Sequence, residues 1–199
     1  MLNKVREKVT PWVERAAMPF VRVGASPNHI TVFGLLTGVL AAFLFGVNKP
    51  FLGGFAVLAC GFFDVIDGAV ARLTRRVTKF GGFLDSVVDR VIDSLIFIGI
   101  IFGELAVLWN QPFWFWPSLA LVGSLLVSYT RARAEAAGSG KLDVGIAERA
   151  ERLIILAVGG ILGLTEYAVI IVAVLAFITV VQRIVEVIKR FGRPLSVYK

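Results

Sequence analysis

The sequence predicts an all-α integral membrane protein, with six transmembrane helices preceded by an N-terminal amphipathic juxtamembrane helix. Three observations carry that prediction. Of 199 residues, 57% are hydrophobic and only 18% charged, with a mean hydropathy of +0.82, whereas soluble domains are about 25% charged. The apolar residues fall into separate stretches close to the roughly 20 residues a bilayer-crossing helix needs. Lys and Arg collect in segments that a six-span layout brings to one face. The length allows one membrane domain, 1–199. The lone Cys60 cannot form an internal disulfide.

The elements follow in order. In residues 1–25, Lys4, Arg6, Glu7, Lys8, Glu14, Arg15 and Arg22 alternate with Val5, Val9, Trp12, Val13, Ala16, Phe20 and Val21, the pattern of a helix lying on a membrane surface. Ser26-Pro27 reads as an N-cap followed by proline at the first helical position. A six-span bundle occupies 26–190, with spans near 28–47, 50–73, 81–108, 112–137, 147–164 and 166–190, and 191–199 form a cytoplasmic tail. Asn48-Lys49-Pro50, Asn110-Gln111-Pro112 and Gly163-Leu164-Thr165 make the turns at one face, and Trp109, Trp114 and Trp116 an aromatic belt there. The pairs Gly34/Gly38, Gly99/Gly103 and Gly159/Gly163 have the small-residue spacing that permits close helix packing.

Of the 21 Lys and Arg, all but Lys49 and Arg90 lie in the N-terminal helix, the 72–79 link, the 131–152 region or the 183–199 stretch. These four segments share a face, so the positive-inside rule puts both termini and the charged links in the cytoplasm, on a multi-pass protein of the cell (cytoplasmic) membrane. The same charges sit beside apolar spans and therefore read as membrane contacts, with no nucleic-acid partner implied.

Five aspartates, Asp64, Asp67, Asp85, Asp89 and Asp93, interrupt the second and third spans. Each acid at a span centre costs about 2.5–3.5 kcal/mol, so five facing lipid would cost on the order of 12–17 kcal/mol. A fold stable by about 5–15 kcal/mol cannot carry that. They must face a hydrated cavity or pair with cations. Asp64 and Asp67 are i, i+3 on one helix; Asp85 and Asp89 are i, i+4 on the next. Two neighbouring helices can thus aim four carboxylates at one point, a hard all-oxygen set suited to Mg²⁺ or Mn²⁺. The structural alternative pairs the acids with Arg72, Arg75, Arg76 or Arg90. Gly68 and Gly81-Gly82 allow close backbone approach by a bulky ligand, and Arg72 offers a fork of donors suited to phosphate. Carboxylates, divalent metal, small residues and an arginine together describe a diphosphate site. A cation channel would need polar residues continuing to the far face, and spans two and three are apolar there.

The run Asp64-x2-Asp67-Gly68-x2-Ala71-Arg72-x8-Gly81-x3-Asp85-x3-Asp89, eight fixed positions over 26 residues, resembles the signature of the CDP-alcohol phosphotransferase family, and Pro27-Asn28-x2-Thr31 resembles its first-span element. The resemblance implies an enzyme that moves a phosphatidyl-type group, diacyl or dialkyl glycerol phosphate, from a CDP-lipid donor to an alcohol and releases CMP, in phospholipid biosynthesis. It implies Asp64, Asp67, Asp85 and Asp89 as metal ligands, Asp89 also as the catalytic base, and Asn28, Thr31, Gly68, Ala71, Arg72 and Gly81 as CDP-binding residues. It also implies a homodimer among membrane lipids.

The Ser128-Tyr129-Thr130-Arg131-Ala132-Arg133-Ala134-Glu135 and Val144-Gly145-Ile146-Ala147-Glu148-Arg149-Ala150-Glu151-Arg152 stretches resemble the branch of the family whose acceptor is inositol phosphate. Arg131, Arg133, Arg149, Arg152 and Arg183 would then bind the acceptor phosphate of a phosphorylated polyol; juxtamembrane anchoring is the plainer reading of such cations. Arg131 and Arg133, two apart, cannot share a helix face, whereas Arg149 and Arg152 can. Glycerol 3-phosphate is the alternative acceptor.

Overall fold

The computed structural model describes residues 2–192, with side chains from Thr10 onward; the predicted tail lies outside the described residues apart from Phe191 and Gly192. Seven helices and no strand occur among them: α1 (Leu2–Arg22), α2 (Pro27–Gly46), α3 (Pro50–Leu73), α4 (Lys79–Phe102), α5 (Phe115–Ala136), α6 (Arg149–Ile161) and α7 (Thr165–Phe191). Local chemistry sets several ends. The Ser26 hydroxyl accepts from the His29 N–H with Pro27 opening α2, and Thr78 accepts from the Gly81 N–H at 2.9 Å at the start of α4.

Helix α2 packs against α3 and α4, α3 against α1 and α6, and α7 against α5 and α6. Phe45, Ile92, Ile96, Phe97, Ile100, Leu156, Val169 and Val172 fill the shared core. Ala17 of α1 is buried against Ile66, Ala69 and Val70 of α3. Three helices, Pro27–Gly46, Pro50–Leu73 and Thr165–Phe191, are long and apolar enough to cross a membrane. Only 33% of the apolar window of α2 and 44% of those of α3 and α7 is buried inside the protein. The rest presents Phe33, Phe43, Phe51, Phe55 and Ile188 outward, as a lipid-facing surface requires.

Two span ends differ from the sequence prediction. The third helix stops at Phe102 rather than near 108, because Glu104 takes a left-handed φ of 52° and the apolar Ala106 folds back into the core. The predicted span 147–164 shrinks to a helix of 13 residues, about 20 Å long against a hydrocarbon core of about 30 Å. It loses three residues at its end, where Gly163 turns the chain with φ 69°, and two at its start, where the unwound chain around Val144 to Ala147 packs against the bundle with backbone groups satisfied by side chains. Ala147 N–H donates to Thr179 Oγ1 at 3.2 Å, Arg152 Nη1 to the Ala147 carbonyl at 2.8 Å and Arg183 Nε to the Val144 carbonyl at 2.8 Å. Arg183 Nη1 also donates to the Val127 carbonyl. Gly145 has φ 147°, and a Cβ there would stand 2.5 Å from Thr179 Cγ2, so the crossing needs glycine. Irregular backbone is tolerated against a bundle where protein groups satisfy it in this way.

The crossing of α2 and α4 is equally close: a Cβ on Gly99 would collide with the Ala42 carbonyl. Gly99→Ala should lower stability by about 1–3 kcal/mol, read as a drop in the thermal unfolding temperature of the purified protein.

Candidate functional site

The 74–78 link joins α3 to α4 and brings their acidic faces together. Asp64 of α3 and Asp85 and Asp89 of α4 each offer one carboxylate oxygen, and these oxygens lie within 4.8 Å of one another. Asp67, one turn along α3, stands beside this trio rather than in it. It is 7% exposed, and its Oδ2 accepts from Thr31 Oγ1 of α2 at 2.7 Å. Asp64, Asp67, Asp85, Asp89 and Thr31 line one narrow cleft, which Cys60 and Arg149 complete.

Arg149, in the first turn of α6, reaches into this cleft. Its Nη1 lies 3.1 Å from Asp64 Oδ1 and 2.9 Å from Asp89 Oδ1, and its Nε lies 3.1 Å from Asp93 Oδ1. Arg152 Nη2 stands 3.6 Å from Asp93 Oδ2. Arg90 Nη1 lies 3.2 Å from Asp89 Oδ2. The sequence placed the pairing arginines nearby in the chain. Of those four only Arg90 makes an ion pair among the described residues, while Arg72, Arg75 and Arg76 are exposed. No local signal could reveal Arg149 in this role, since its partners lie more than fifty positions away.

The donor set fits a divalent cation. Its oxygens are hard carboxylate donors. Ionised, the five aspartates outnumber the three guanidiniums paired with them (Arg90, Arg149 and Arg152) by two charges, which a Mg²⁺ or Mn²⁺ ion would balance. Asp64, Asp85 and Asp89 would hold it, with Asp67 adjoining.

The residues expected to bind the nucleotide gather at the same end of the bundle. Asn28 is exposed in the first turn of α2, and Arg72 is exposed at the end of α3 with half-buried Gly68 and Ala71 before it. Gly81 lies in the first turn of α4. A Cβ at Gly68 would stand 3.3 Å from Arg72 Nη1. Only Thr31 of this group lines the cleft itself.

A second cavity, about 1090 Å³, opens between α4 and α5 with α6 and α7 behind it. Ser86, Arg90, Ser128, Arg131, Arg149, Arg152 and Arg183 supply most of its polar wall, with the carboxylates of Glu135 and Glu148 among them, and Phe83, Val87, Val91 and Leu125 its apolar wall; five guanidiniums against two carboxylates leave it basic. Arg149 therefore belongs to both the acidic cleft and the basic cavity. Of the five arginines expected to bind a phosphate, Arg133 alone stays outside, exposed on the other side of α5. Arg90, which the sequence offered only as a partner for the acids, lines this cavity as well.

Comparison with known proteins agrees with this geometry. Residues 25–181 match the CDP-alcohol phosphatidyltransferase family. The chain is 44% identical to the archaetidylinositol phosphate synthase of Pyrococcus horikoshii, over 96% of this chain and 98% of that one. It is 35% identical to the phosphatidylinositol phosphate synthase of Mycobacteroides abscessus, over 89% and 84%. Crystal structures of the Mycobacterium tuberculosis phosphatidylinositol phosphate synthase superpose well. The form with CDP-DAG bound gives a TM-score of 0.78 at 32% identity, covering 94% of this chain and 97% of that one. The complex with manganese and citrate gives 0.79 at 32% identity, covering 94% and 92%.

The cleft makes a binding prediction. Mn²⁺ titration followed by electron paramagnetic resonance should detect a bound ion, and Asp85→Asn should weaken it by about tenfold or more. The same change at exposed, distant Asp143 should leave binding unaltered.

Proposed function

The chain belongs to the CDP-alcohol phosphatidyltransferase family, and on that premise we propose how its own residues run the reaction. The enzyme transfers a phosphatidyl-type group, diacyl or dialkyl glycerol phosphate, from a CDP-lipid to a hydroxyl of inositol phosphate and releases CMP. The observation that carries this reading is the shared wall: one guanidinium, Arg149, joins a carboxylate cleft fit for a metal-bound diphosphate to a basic cavity fit for a phosphorylated polyol. The names of the relatives favour inositol phosphate over glycerol 3-phosphate as the acceptor.

In the reaction, the acceptor hydroxyl oxygen bonds to the phosphorus that carries the lipid. The bond from that phosphorus to the bridging oxygen breaks, and CMP leaves with the electron pair. Asp89 takes the hydroxyl proton. Its two oxygens pair with different guanidiniums, Oδ1 with the more buried Arg149 and Oδ2 with the more exposed Arg90, so the proton goes to Oδ2 as the Arg90 pair opens. The divalent ion, when bound, neutralises the diphosphate and the charge growing on the leaving group. Arg149 and Arg131 fix the acceptor phosphate, which turns encounter into positioning. Asn28, Thr31, Gly68, Ala71, Arg72 and Gly81 shape the nucleotide side. The outward Phe62 and Val65, flanking Asp64 on α3, supply an apolar track for the donor's tails.

The reading extends to the setting. A single domain, 1–199, spans the membrane six times over 26–190, with 1–25 on its surface and the termini and active site on the cytoplasmic face. The one-sided Lys and Arg support this orientation. The short α6 crosses with help from the unwound segment before it. A homodimer completes the proposal.

Three measurements test the function. CMP release should require Mg²⁺ or Mn²⁺ and should be faster with inositol phosphate than with glycerol 3-phosphate. Asp89→Asn should cut the rate by about a hundredfold or more while the protein still unfolds cooperatively, at a temperature lowered by the loss of its pairs with Arg149 and Arg90. Arg149→Ala should raise the KM for inositol phosphate far more than that for CDP-lipid; the opposite order would remove the acceptor assignment.

A further inference from the structure

Asp93 is the one aspartate of the five that the reaction does not use. It lies one turn beyond Asp89 on α4, is 5% exposed and lines neither the cleft nor the cavity. Its two oxygens are divided between two arginines of α6, Oδ1 facing Arg149 Nε at 3.1 Å and Oδ2 facing Arg152 Nη2 at 3.6 Å. It is not among the carboxylates close enough to share an ion.

We propose that Asp93 is a positioning residue that sets the affinity for the acceptor phosphate by fixing the guanidinium of Arg149, and that it touches neither substrate. This rests on the reading of Arg149 as an acceptor-phosphate contact. A guanidinium is planar, so holding Nε at Asp93 and Nη1 at Asp64 and Asp89 fixes the direction of Nη2. That nitrogen is buried and has no hydrogen-bond partner, on a side chain that lines the basic cavity. A buried, unpartnered donor calls for an acceptor, and a phosphate oxygen supplies one. Asp64 and Asp89 also serve the metal cleft, so their hold on Arg149 is shared. Asp93 is committed to the arginines alone. The i, i+3 spacing of Arg149 and Arg152 puts both on the face that meets Asp93, and Arg152, tied to the Ala147 carbonyl, anchors Asp93 in turn.

Initial rates of CMP release, with inositol phosphate and CDP-lipid varied separately, test the assignment on the full chain. Asp93→Asn should raise the KM for inositol phosphate about tenfold or more, the scale of one lost charged hydrogen bond, with a far smaller change for CDP-lipid. Asp93→Glu, which keeps the charge, should recover part of the affinity and serves alone if the Asn variant does not fold. Adding Asp93→Asn to Arg149→Ala should raise the KM no further than Arg149→Ala does. Unchanged KM values with a lowered unfolding temperature, equal rises for both substrates, or an additive double variant would overturn the proposal. A rise with Arg149→Ala but none with either Asp93 variant removes only the positioning role. No response to Arg149→Ala removes the acceptor reading beneath it.

Discussion

The ion-pair knot around Arg149 is the constraint from which the architecture follows. Five carboxylates enter apolar helices, and none could stay ionised against lipid at a tolerable cost. The fold answers by carrying the first turn of α6 into the bundle until one guanidinium lies within 3.1 Å of oxygens from Asp64, Asp89 and Asp93. Breaking such a buried cluster by removing one partner strands the others, which is far costlier than losing an exposed pair. Helix α6 therefore starts only at Arg149, and the chain just before it runs unwound against the bundle. Arg152 and Arg183 then satisfy the carbonyls of that unwound chain. The acidic motif on two helices is thus tied to the path of a segment far downstream in the chain.

The motif itself was legible in the sequence because its information is local. Asp64 and Asp67 on one helix, and Asp85 and Asp89 on the next, need only helical periodicity and one short link to converge. The capping signals at Ser26-Pro27 were equally local. What the sequence hid depends on distant partners. Hydropathy measures composition rather than depth, so it extended the third helix through Leu105 to Leu108, where the chain has already turned back. It also counted Ala147 and Glu148 as helix, although their backbone belongs to the crossing segment. The pairing of Asp93 and the inward face of Arg131 over Arg133 depend on how α5 and α6 sit beside α4, which no periodicity encodes.

The two sites draw on opposite charge because they face opposite problems. On the proposed reading the cleft holds a cation against a diphosphate, which suits its carboxylate oxygens, and the cavity holds an anion beside it, which suits its guanidiniums. Arg149 in the common wall would then keep the two fields from repelling the substrates that meet there, pairing with Asp89 Oδ1 while Oδ2 faces Arg90.

The arginines of the cavity divide by how firmly they are held. Arg183 and Arg152 are 2% and 3% exposed, and they donate to main-chain carbonyls, partners that cannot move without unfolding the segment 137–148. They form a floor whose guanidiniums are held in place by these bonds. Arg131 instead pairs with Glu135 at 3.1 Å and Asp143 at 3.4 Å, with 35% of its own side chain exposed. Exposed pairs of this kind are worth about 0–1 kcal/mol, so exchanging them for a phosphate costs little. Arg90, one-third exposed, is in a similar position on the opposite wall. On the proposed reading, a fixed floor with an adaptable rim would let the cavity orient an anion and still release the product made from it.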